Sequence, residues 1–271
     1  MNAINRLGLG CARLAGGREA AASRRLVEAA LALGIRYFDT APSYGDGWSE
    51  QILGDVLYGV DDARVTTKIG IPRPAAPTDV GAAHRAYRTF VKPVLARFPG
   101  VKAKLLAARR ARAPQAARPR RHFPLGELAA ELDQSLKALR RDRIHCLLVH
   151  EPDQFDDLDD KAAAAFERLR AQGSIDTFGL AYDREIAEPQ HFGTVLQSRY
   201  LPPEARRDPG VTRIFHGVLR HREPGTSAEA RLRATLIAEP EARILLSVST
   251  IQQLRQLHAV ARDVPALSSR N

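Results

Sequence analysis

The chain is 271 residues long, 44% hydrophobic, with a formal net charge of +10 and two cysteines. Such a length suits one α/β barrel or two small domains, and no run approaches the roughly 20 apolar residues that a membrane-crossing helix needs. The opening stretch MNAINRLGLGCARLAGG lacks the apolar core of a signal peptide. Cys11 and Cys146 show neither metal nor disulfide spacing, so the expectation is a protein of the reducing cytoplasm, with no metal site and no membrane partner.

The positive charge is local. Lys102, Lys104, Arg109, Arg110, Arg112, Arg118, Arg120 and Arg121 lie between Val101 and Pro124 with no acidic residue among them. A basic stretch can mark a nucleic-acid partner, but this one has no interleaved aromatics on which bases could stack. Sequence of this Ala/Arg/Pro kind is more often a solvated loop, and nucleic acid is not the expected partner.

Taken in order, Arg6 to Gly10 reads as a first strand and Gly17 to Leu33 as a helix with Leu26, Ala29, Ala30 and Leu33 on its apolar side. Ile35 to Phe38 has the composition of a buried parallel strand and ends at Asp39. A Pro/Gly-rich loop carrying Tyr44 follows, then a helix with Ile52, Leu53, Val56 and Leu57 at apolar positions. Ala63 to Gly70 is a third strand, with Lys68 near its end. From 71 to 123 the pattern dissolves, and the stretch reads as a long, mobile inserted βα loop.

Order returns with a helix from Leu125 to Arg140 and a strand from Ile144 to His150. A helix from Ala162 to Gln172 is closed by Gly173, and Ile175 to Ala181 is the next strand. Thr194 to Gln197, Thr212 to His216 and Arg243 to Ser247 are three more, with helices at Ala228 to Ala238 and Thr250 to Ala261. Eight strand-like runs, mostly separated by helices, imply a closed (β/α)8 TIM barrel occupying residues 1–271 as one domain. No Gly-x-Gly-x-x-Gly follows any strand, which argues against a dinucleotide-binding open sheet.

In a barrel, Asp39, Tyr44, Lys68 and His150 stand at carboxyl ends of early strands or just past them, and they converge on one rim. Their chemistry is proton delivery. A lysine cation beside a tyrosine favours the phenolate and lowers its pKa from about 10. A carboxylate keeps the cation placed, and a histidine orients an oxygen or shares the proton.

The segment GIRYFDTAPSYGDGWSEQILGDVL, Gly34 to Leu57, resembles the signature of the aldo/keto reductases: Gly34, Arg36, Phe38 to Ala41, Tyr44, Gly45, Ser49, Glu50, Leu53 and Gly54 all conform. Lys68 follows Thr67, and His150 sits in Leu-Leu-Val-His-Glu-Pro, as the family has them. The resemblance implies an oxidoreductase that reduces an aldehyde or ketone on a small molecule with NADPH, or NADH. Tyr44 would be the general acid, Asp39 and Lys68 its tuners, and His150 the substrate orienter.

The cofactor end is implied to comprise Gln197, Ser247, Ser249 and Gln253, which are retained. Tyr182, His216 and Thr250 stand where the family has an asparagine, a stacking tyrosine and a phosphate-binding arginine, with Arg255 one turn on. Substrate walls would come from the Cys11 to Gly17 loop, Trp48 and the insertion. The alternative reading keeps the barrel and the four residues without productive nicotinamide binding, as a redox-neutral enzyme or a binding protein.

Overall fold

A run of apolar residues too short for a helix reads as a parallel strand when it is covered on both faces, and the runs that end at Asp39, Ile69 and His150 are buried along most of their length. A computed structural model describes residues 3–74, 125–152, 158–183, 192–200, 210–220 and 226–265. Its strands are β1 Leu7–Gly10, β2 Tyr37–Asp39, β3 Arg64–Ile69, β4 Ile144–His150, β5 Ile175–Ala181, β6 Val195–Arg199, β7 Thr212–His216 and β8 Arg243–Leu246. They pair in parallel in sequence order, and β1 closes on β8. The described helices are α1 Ala20–Ala32, α2 Trp48–Val56, α3 Leu128–Leu139, α4 Asp160–Ala171, α5 Ala228–Ala238 and α6 Ile251–Arg262. Among the described residues none is long and apolar enough to cross a membrane. The basic stretch and nearly all of 71–123 lie outside the described residues.

Alternation along the strands divides the apolar residues into two cores. Tyr37, Cys146, Leu148, Ala181, Val195, Ile214 and Leu245 fill the barrel. Phe38, Leu147, Phe178, Phe215 and Ile244 face outward and pack with helical residues such as Leu53, Leu132, Phe166 and Leu254. At roughly 1.5–3 kcal/mol for each fully buried side chain, the outer layer is the main attachment of helices to sheet. Gly54 lets α2 approach α3 closely, because a Cβ there would stand 2.3 Å from the carbonyl oxygen of Ala138.

Several boundaries differ from the sequence reading, for local reasons. Polar side chains start three helices: Asp159, Ser227 and Thr250 accept from the backbone N–H of Ala162, Ala230 and Gln253. Single 3₁₀ turns, Gly17–Glu19 and Leu125–Glu127, precede α1 and α3. Arg6 belongs to a 3₁₀ turn, Ala3–Arg6, rather than to β1. Its buried guanidinium donates to the carbonyls of Ala242 at 3.2 Å, Leu236 at 3.0 Å and Glu239 at 2.5 Å, tying the start of the barrel to the end of α5.

Candidate active site

β2 and β3 lie side by side with Asp39 opposite Thr66. Two residues further along β3, the next inward position, comes Lys68. Both are charged and both are buried, at 4% and 1% exposure, which is tolerable only if they are paired and fully hydrogen-bonded. The Lys68 ammonium donates to both oxygens of Asp39 and to the Thr40 carbonyl, each at 2.8 Å, so three acceptors meet three N–H groups. Burial alone would lower the Lys68 pKa, but the Asp39 carboxylate and the Tyr44 phenol outweigh it, and the net shift is upward.

Tyr44 opens a 3₁₀ turn, Tyr44–Gly47, in which Gly45, Asp46 and Gly47 take φ of 59°, 56° and 92°. The left-handed turn brings Gly45 against the β1 loop, where a Cβ would stand 2.0 Å from the Leu14 carbonyl oxygen, so only glycine fits. The Tyr44 ring thereby lies under the Lys68 ammonium, 4.8 Å from its centroid. His150, the last residue of β4, meets the same ring edge-on at 5.8 Å. The structure brings Asp39, Tyr44, Lys68 and His150 together at the carboxyl ends of the strands.

The expected direction of the Tyr44 pKa is corrected. Burial raises it, Lys68 only opposes that rise, and the net effect is upward. Desolvating a phenolate costs more than one nearby cation returns when that cation is already bound to a carboxylate. Tyr44 is held as a neutral, proton-bearing phenol.

Three signature residues act inside the wall. The Ser49 hydroxyl donates to the Cys11 carbonyl at 3.1 Å and meets the Thr40 hydroxyl at 2.8 Å. Glu50, fully buried, accepts from Thr67 at 2.5 Å and pairs with Arg73 just past β3. Arg73 was not singled out by the sequence. Trp48 packs on the Cys11 to Gly17 loop, where Gly16 faces its ring.

The residues assigned to the cofactor end separate into groups. Gln197 donates to Asp39 at 2.7 Å, joining the four rather than the rim of β7 and β8. Ser247 and Gln253 line a pocket of about 150 Å³ with Arg13, Gly217, Leu219 and Leu245. Ser249 accepts from Arg13 at 2.6 Å, and Thr250 is spent capping α6. His216 donates from Nε2 to the Tyr182 carbonyl at 2.8 Å, while the Tyr182 side chain is buried in the outer core. Arg255 is exposed on α6 and does not line that pocket. Arg13 carries no motif and is visible only once the β1 and β8 loops are seen to meet.

Residues 6–192 match the model of the aldo/keto reductase family. A D-threo-aldose 1-dehydrogenase of a Pseudomonas species is 31% identical over 227 residues, covering 80% of this chain and 61% of the relative. A pyridoxal 4-dehydrogenase of Microbacterium luteolum is 47% identical over 72 residues, 25% of this chain and 21% of the relative. The chain thus spans less than two thirds of the length of these relatives.

Among solved structures, an aldo-keto reductase from Bacillus halodurans in its holo form superimposes with a TM-score of 0.62 at 20% identity, over 97% of this chain and 88% of that one. One from Klebsiella pneumoniae in complex with NADP and acetate gives 0.61 at 16% identity, over 97% and 87%. At such identities the superpositions speak for the barrel alone. The family model, matched from the first strand through the whole four-residue constellation, does more: the chain belongs to the aldo/keto reductase family.

Proposed function

We propose that the protein interconverts the carbonyl of a small aldehyde or ketone and the corresponding alcohol, using a nicotinamide dinucleotide as redox partner. The observation that carries this reading is the neutral Tyr44 phenol beneath a fully coordinated Lys68 ammonium and beside His150. A reduced nicotinamide, when bound, supplies hydride to the carbonyl carbon. The chain's own work is to bring a proton to the oxygen. Tyr44 gives up its hydroxyl proton, and the phenolate left behind is compensated by Lys68, which Asp39 and Thr40 hold in place. His150 supports the substrate oxygen by a hydrogen bond, and Trp48 with the loop at 11–17 walls the site. Run backwards, the same groups oxidise an alcohol.

The pocket at the end of β8 suits the phosphates of such a cofactor: a cation, a hydroxyl and an amide line it, with no acidic side chain. Family membership and relatives named as dehydrogenases of an aldose and of pyridoxal support the same chemistry and make those compounds the first to assay. The test follows nicotinamide absorbance with both cofactors and both compound classes in wild type and Tyr44→Phe. Turnover that survives in the phenylalanine variant removes Tyr44 from the mechanism.

A second reading, an intact tetrad without productive cofactor binding, is favoured by Gln197 and His216 being turned to protein partners. Absence of NADH and NADPH binding at millimolar concentration would select it.

A further inference from the structure

We propose that Arg13 is the residue that holds the pyrophosphate of the dinucleotide. The proposal rests on the nicotinamide reading above. Thr250 has no charge, and its hydroxyl already caps α6. Arg13 lines the pocket itself, reaching over from the loop after β1 and donating from Nη1 to Ser249 at 2.6 Å.

No carboxylate pairs with Arg13 among the described residues, and none lines the pocket. The remaining N–H groups of its planar fork suit two phosphate oxygens.

Position decides which phosphate it takes. The pocket is lined by Leu245, part of the barrel's inner core, and by Ser247, whose hydroxyl would stand 3.1 Å from a Cβ on Gly10. The charged part of the ligand therefore lies where the loops after β1, β7 and β8 meet the first turn of α6. In a dinucleotide whose nicotinamide lies over Tyr44, the part that reaches this point is the pyrophosphate bridge.

The experiment titrates NADH, NADPH and inorganic pyrophosphate into wild type, Arg13→Gln and Arg13→Lys, with unfolding midpoints as a control on the fold. Arg13→Gln should weaken both nucleotides to the same degree, by about tenfold or more, and abolish pyrophosphate binding, with partial recovery in Arg13→Lys. Affinities in Arg13→Gln equal to wild type overturn the proposal. So does a loss confined to NADPH, which would make Arg13 a reader of the 2′-phosphate. If wild type binds neither nucleotide, the nicotinamide reading falls, and the pyrophosphate titration decides Arg13 alone: binding lost in Arg13→Gln supports it, and no binding by wild type overturns it.

Discussion

Gln197 on β6 donates to Asp39 on β2 across the mouth of the barrel, 2.7 Å between residues 158 apart in the chain. The bond connects the late half of the barrel to the tetrad and holds the carboxylate that holds Lys68. A hydrogen bond to a charged group contributes about 1.5–3 kcal/mol. Gln197→Ala should therefore destabilise by that amount in denaturant unfolding. Gln197→Glu should do worse, since it sets a second carboxylate against Asp39. A glutamate variant as stable as wild type would contradict the contact.

The Asp39–Lys68 pair should show strong coupling. Lys68→Met strands a buried carboxylate, and breaking a buried pair from one side costs roughly 3–5 kcal/mol. Removing both charges in Asp39→Asn with Lys68→Met should cost clearly less than the sum of the two singles. Additive losses in a double-mutant cycle would mean that the two groups do not interact as described.

On the proposed mechanism, Tyr44→Phe deletes only the proton donor. Turnover should fall by roughly 10²- to 10⁴-fold, the usual worth of general acid catalysis, with the unfolding midpoint nearly unchanged. In wild type the raised Tyr44 pKa keeps the phenol protonated through neutral pH, so the rate of reduction should stay level there. It should decline only in alkali, above the ordinary value of 10.0. A decline centred near neutrality would assign the proton to another group.

Burial pushes the Cys146 thiol up from 9.0 to about 12. The unfolded chain releases this proton first. The stability contribution is therefore complete below about pH 9 and drains away as pH rises toward 12. Alkaline unfolding should be less steep in Cys146→Ala over that window. Both thiols should also resist modification in the native state, because Cys11 and Cys146 are buried. Rapid labelling of either at neutral pH would argue against this packing.

Thr250→Arg should tighten NADPH selectively over NADH. It should also remove the cap of α6, at a cost of about 1 kcal/mol. A gain shared equally by both nucleotides would show that the arginine serves the bridge and not the 2′-phosphate.

The four-residue constellation was legible because each member ends, or closely follows, an apolar run whose direction fixes the rim it reaches. Strand number and order were readable for the same reason. Arg6 was misassigned because a charged residue ahead of an apolar run gives no hint of three carbonyls more than 200 residues away. The partners of Gln197 and Arg13 were hidden likewise, since each depends on how distant loops register after closure. The sign of the Tyr44 shift failed for a different cause: charge neighbours show in sequence, whereas depth of burial does not.

The clamp of Arg6 on Leu236, Glu239 and Ala242 bears on how the molecule is made. During synthesis the tetrad is complete once His150 has emerged. The first strand must then wait with an unpaired edge, and Arg6 with unmet donors, until nearly 100 more residues have left the ribosome. A nascent chain halted before residue 236 should remain a protease-sensitive open sheet, and resistance should appear in one step as β8 docks beside β1.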